Sequence, residues 1–142
     1  MKRIFSVGML AMLFLVGACG GSDEPSLTEK QKIEALLTSA SWKVQAVKID
    51  GVNETSSFPG LTLKFSSTSF TVTNGAVVWP SSGTWSFTDE TAKKINRSDG
   101  VELTLVTVSE TALVIRFSWD QSTLGEGRLA SVEGEYEFTF GP

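Results

Sequence analysis

Two groups of ionisable side chains have a spacing that could do chemistry. Glu133, Glu135 and Glu137 alternate along one stretch, and Asp89, Glu90, Lys93 and Lys94 share another. A row of carboxylates suits calcium, which takes oxygen ligands. This row lacks the loop geometry and the neighbouring carbonyl donors that such a site needs, and it reads instead as a solvated face that blocks edge pairing. The second group resolves no better into an acid–base pair. A retaining glycosidase needs two carboxyls about 5 Å apart across a cleft, whereas neighbours in a turn point in different directions. The chain has no histidine and one cysteine, Cys19. Cys/His zinc sites, Cys–His dyads and Ser–His–Asp triads are thereby excluded. No catalytic residue, metal or cofactor is expected.

Cys19 has a different context. Lys2 and Arg3 precede an apolar-plus-glycine run, Val7 to Val16, and Gly17-Ala18 lead into the cysteine. This is the layout of a secretory signal, and it resembles a bacterial lipobox. The run is short for a spanning helix, which needs about 20 apolar residues. A lone cysteine also has no disulfide partner. The resemblance implies cleavage after residue 18 and acylation of Cys19, with palmitate among the chains. Each buried methylene contributes ~0.8 kcal/mol, and two or more chains hold stably. The expected location is the cell envelope, lipid-anchored at the outer membrane. Ser22-Asp23-Glu24 resembles an acidic surface-export signal, or is simply a solvated linker.

The formal net charge is −4, and a mature chain without Lys2 and Arg3 is two charges more negative. No basic stripe is present to neutralise phosphates, so nucleic acid is not an expected partner. The lipid on Cys19 is the expected membrane attachment.

The elements that would position any site divide as follows. Residues 19–25 form a tether. Residues 26–41 hold a helix, with capping boxes at Ser26/Glu29 or Thr28/Gln31 and an apolar face of Ile33, Leu36 and Leu37. Residues 42–142 form a β domain, because from Trp42 the apolar period becomes two. Trp42, Val44 and Ala46 alternate with Lys43 and Gln45. Similar alternation marks Leu61–Phe65, Phe70–Val72, Trp85–Phe87, Leu103–Leu105, Leu113–Trp119 and Tyr136–Phe140, with a short strand at Ile95. Asp50-Gly51, Asn74-Gly75 and Asp99-Gly100 are the turns. The expected fold class is all-β: an up-and-down antiparallel barrel of about eight strands with a short N-terminal helix. A two-sheet sandwich is the alternative.

Several stretches carry a family resemblance. Ser41-Trp42-Lys43-Val44, Gly60-Leu61-Thr62-Leu63, Val78-Trp79-Pro80-Ser81-Ser82-Gly83-Thr84-Trp85, Arg97-Ser98-Asp99-Gly100-Val101 and the closing Glu135–Phe140 are among them. Together with the lipobox and the short helix, they resemble the lipocalin-like lipoproteins of Bacteroidetes-type bacteria. Ala40 stands where lipocalins proper place the glycine of Gly-x-Trp. The resemblance implies a barrel with room for a cavity.

Three long connections are the candidate binding loops. Gly51–Gly60 carries Phe58, Asn74–Ser82 carries Trp79, and Asp120–Gly127 is the third. Phe58 and Trp79 are the candidate contacts for a ligand or partner; the other reading folds them back to cap the barrel. Two roles follow. One is a non-enzymatic accessory or interaction protein with a packed interior. The other is a carrier of a small apolar or amphipathic ligand inside the barrel. The many large inward residues favour the first.

Overall fold

The computed structural model describes residues 26–120 and 133–142, and only the backbone of Leu124–Gly125 and Arg128–Leu129 between them. In chain order the elements are α1 (Glu29–Thr38), β1 (Ser41–Ile49), β2 (Val52–Asn53), a 3-10 turn (Thr55–Ser57), β3 (Thr62–Phe65), β4 (Ser69–Thr73), β5 (Ser82–Phe87), β6 (Lys94–Arg97), β7 (Glu102–Val108), β8 (Leu113–Trp119), β9 (Leu124–Gly125), β10 (Arg128–Leu129) and β11 (Gly134–Gly141). Strands β1, β3 to β8 and β11 pair with their neighbours in sequence order, all antiparallel. β11 also pairs with β1, from Lys43↔Gly141 to Ile49↔Tyr136, which closes the ring. The result is a closed eight-stranded up-and-down barrel, not a sandwich. Closure leaves no long unpaired edge. β2 adds a short hairpin to β1, and β9 with β10 forms a separate ribbon.

Seven of the eight barrel strands coincide with the alternating stretches of the sequence, and β6 with the short strand at Ile95. Inward positions are apolar, Arg97 excepted, and outward ones mostly polar. In β8, for example, Leu113, Ile115, Phe117 and Trp119 are buried while Ser118 is exposed. One parity differs from expectation. The register slips between Val44 and Ala46, so Gln45 is an extra residue. Beyond it the faces exchange: Val47 is buried where Ala46 was expected to be. A one-residue insertion has this effect because side chains alternate with period two. Gly141 receives the displaced side chain. A Cβ there would lie 2.0 Å from Gln45 Nε2.

The helix starts at Glu29, later than expected, and uses the second of the two capping registers. Thr28 accepts from the Gln31 backbone N–H, and the Gln31 side chain accepts from the Thr28 N–H. Ten residues span ~15 Å, enough to lie across one mouth of the barrel. Leu37 is fully buried there, and Ile33 and Leu36 only in part. Trp42 Nε1 donates to the Leu37 carbonyl at 2.9 Å, tying the helix C-terminus to the first strand.

Candidate functional site

Antiparallel pairing sorts the connections to two ends. Ser41 pairs with Lys64, Phe65 with Phe70, Phe87 with Ile95 and Val108 with Leu113. The short turns 66–68, 88–93 and 109–112 therefore share the end that α1 covers. The connections 50–61, 74–81 and 98–101 gather at the other, where β8 also ends and β11 begins, Trp119 pairing with Gly134. Two of the candidate loops, Gly51–Gly60 and Asn74–Ser82, thus meet at one end. Most of the third, Asp120–Gly127, lies outside the described residues.

This loop end is closed by its own loops. Trp79 is 2 % exposed and points into the barrel. Its ring stands edge-on to Phe117 at 5.4 Å, Phe138 at 5.6 Å and Phe140 at 6.4 Å. Phe58 is 5 % exposed. It stands edge-on to Phe138 at 5.1 Å and Tyr136 at 6.3 Å. Neither candidate contact residue presents a face to solvent. Both take the capping position that was the other reading of these loops, because aromatic burial at an open barrel mouth outweighs exposure. The turn behind Trp79 is tight. A Cβ at Gly75 would lie 2.5 Å from Trp79 Cβ, and Asn74 and Ala76 have φ of 57° and 52°.

The sequence reading did not single out the residue that holds this plug. Arg97 lies on the inward face of β6, two residues after the buried Ile95, and its side chain is 0 % exposed. Its guanidinium lies 5.1 Å from the Trp79 ring centroid and 5.4 Å from that of Phe117. Nη1 donates to the Val78 carbonyl at 2.9 Å. Nε and Nη2 both donate to the Asp99 carboxylate, Nε at 3.0 Å. This is a forked, charge-assisted pair. Burial pushes the Asp99 carboxyl up, but the Arg97 bonds, the Arg97 charge and the Val101 N–H outweigh it, so its pKa is lowered. The group is a fastener, not a proton carrier: guanidinium does not deprotonate in proteins. A charged residue on inward parity was the signal in the sequence that could have found it. Trp79 Nε1 is buried among these rings without a hydrogen-bond partner.

The other chemical candidates resolve into separate pairs. Arg116 on β8 holds Glu135 at 3.0 Å and Glu137 at 2.6 Å across the outer face. With Lys48, Asp50 and Gly51 they line an open hollow outside the barrel. Glu90 pairs with Lys30, and Lys94 with Glu102. The Asp89 carboxyl is lowered, chiefly by the Thr91 hydroxyl, and Lys94 is raised, chiefly by its bond to Glu102. Both shifts favour the charged forms, opposite to what a general acid or a general base at these positions requires. Among the described residues no cluster of acids could hold a metal, and no helix is long and apolar enough to cross a membrane. Cys19 lies outside the described residues.

No protein-family model matches this chain, and no curated protein is similar enough to count as a relative. The functional reading therefore rests on the geometry.

Proposed function

We propose that the chain is a non-enzymatic lipoprotein of the cell envelope. Cys19 carries its lipid anchor at the outer membrane, and its barrel displays the loop end to an envelope protein partner. One observation carries this reading: the barrel interior is occupied by its own side chains, including a tryptophan contributed by a loop. An eight-stranded barrel is at the size where side chains fill the interior or one small ligand enters. Here Trp79 takes the space a ligand would need. The carrier role would require the 74–81 loop to swing out and break the Arg97 bond to Val78. The loops sit at the end opposite α1, whose N-terminus follows the tether. An anchored barrel thus has its long connections away from the point of attachment.

Native mass spectrometry of the chain purified from its own cells tests the choice. The expected species is the acylated chain without a stoichiometric small ligand, alone or with a protein partner. A retained apolar ligand would give the molecule to the carrier role. Anchoring is tested by Cys19→Ser, which is expected to leave the membrane fraction entirely. If it still fractionates with membranes after a high-salt wash, a protein partner, not lipid, holds it there.

A further inference from the structure

The helix end carries an apolar surface for which the barrel has no use. Val106 follows the buried Leu105 on the outward parity of β7, at a register slip between Leu105 and Thr107, and is 46 % exposed. Val106 lies in a groove of about 360 Å³ between α1, the 88–93 turn and β7, lined also by Ile33, Ala92, Val108, Glu29 and Lys93. Leu27, just before the helix cap, is 56 % exposed. Single exposed apolar residues need no explanation. Leu27 stands two residues before Glu29, which lines this groove, where the tether enters the domain. Ser26 is seven residues after Cys19, a reach of at most ~25 Å at ~3.5 Å per residue.

We propose that this end docks on the bilayer surface, with Leu27 and Val106 at the headgroup boundary, so that the barrel stands upright on its anchor. The inference rests on the lipid-anchor reading of Cys19. Charge favours the same orientation only by difference. Lys30, Lys32, Lys93 and Lys94 at the helix end stand among Glu29, Glu34, Asp89, Glu90 and Glu110, and Lys30 and Lys32 are paired with Glu90 and Glu29, so that end is close to balanced. Asp50, Glu54, Asp99 and Glu133 lie at the loop end. Anionic headgroups repel the loop end more than the helix end.

The test uses the full lipidated chain in phosphatidylcholine–phosphatidylglycerol vesicles. Acylation blocks the Cys19 thiol, so Leu27→Cys, Val106→Cys and Val77→Cys each offer one site for a fluorophore. Val77 is exposed too, at the opposite end. Lipids carrying a shallow spin-label quencher are expected to quench the labels at 27 and 106 several-fold more than the label at 77. Leu27 lies outside the barrel, so a variant there reads docking even if Val106→Cys folds poorly. Equal, weak quenching at all three sites overturns the proposal, because the domain then swings free or the tether fills the groove. Stronger quenching at 77 overturns it as well. Concentration-dependent energy transfer between labels at 106 would give the groove to a second copy and sink the bilayer proposal. Flotation and the mass of the Cys19 peptide report the anchor separately. An acylated chain that floats without differential quenching loses the docking alone, and a chain without acylation loses both.

Discussion

The two ends of the barrel are sealed by different means. At the helix end a separate element lies across the mouth, and among the described residues no buried side-chain donor or acceptor there lacks a partner. Trp42 Nε1 donates to Leu37, and Trp85 Nε1 reaches the Ser66 and Ser69 carbonyls in the neighbouring turn. At the loop end the strands' own connections fold inward, and the matching is incomplete. A guanidinium is buried, and the Trp79 indole N–H has no partner. A protein selected for stability alone has little reason to bury a charge under a loop, since an apolar pair of similar volume is often as stable. Departures from local consistency concentrate where a protein works. The contrast is the reason for proposing display at the loop end and attachment at the helix end.

The largest expected effect breaks the contrast at its centre. Trp79→Ala should destabilise the chain by ~3–5 kcal/mol in urea melts, as for a large buried aromatic. A change within ~0.5 kcal/mol would mean that the loop is surface and that the two ends do not differ as described. Trp79→Phe should cost less than Trp42→Phe. The second leaves the Leu37 carbonyl without its donor, and the first removes an N–H that donates to nothing.

The buried pair comes next. Asp99→Asn leaves the Arg97 charge inside the barrel without its counterion, and should cost about 2 kcal/mol. This is below the ~3–5 kcal/mol seen for fully buried pairs, because the Asp99 side chain is 37 % exposed. Arg97→Met should cost less than Asp99→Asn, since Asp99 can turn to water while the methionine fills the apolar space. The folded-state pKa of Asp99 lies below its ordinary 3.8. Its stabilisation is therefore present above that value and is lost as pH falls through the folded pKa. An acid melt should show this limb in the parent and lose it in Asp99→Asn. At the helix end, Thr28→Ala removes one cap and should cost about 1 kcal/mol, without changing the acid limb.

How much of this was legible in the sequence differs between the ends too. Seven of the eight barrel strands follow from period-two alternation, because each has one face in the core, and β6 was marked by Ile95 alone. The exchange of Ala46 for Val47 does not follow, since a bulge at Gln45 leaves no mark in composition. The helix cap was legible as two registers, of which the structure uses the second. At the loop end, alternation stops at the strand termini. Trp79 and Phe58 could be marked as notable, but not their inward direction, which for Trp79 depends on a turn that Gly75 permits and Arg97 fastens. Arg97 itself was readable from its parity with Ile95. Its partner Asp99 was visible only as a turn former.

The smallest stability effect sharpens the functional half of the contrast. Val77 sits beside Trp79 in the same loop but is 41 % exposed. If the loop end is a display surface, its contacts must come from the residues that remain outside once Trp79 has turned in. Val77→Asp should then leave the urea midpoint within ~0.5 kcal/mol, as for surface positions away from special features. It should nevertheless abolish co-purification of the protein partner, because a carboxylate placed in an interface loses its water without gaining a counterion. Val106→Asp, an equally exposed valine at the other end, should leave that partner bound. If the two variants behave alike in the pull-down, partner binding does not distinguish the ends. If Val77→Asp instead unfolds the chain, the whole 74–81 loop belongs to the core, and display must fall to the remaining connections.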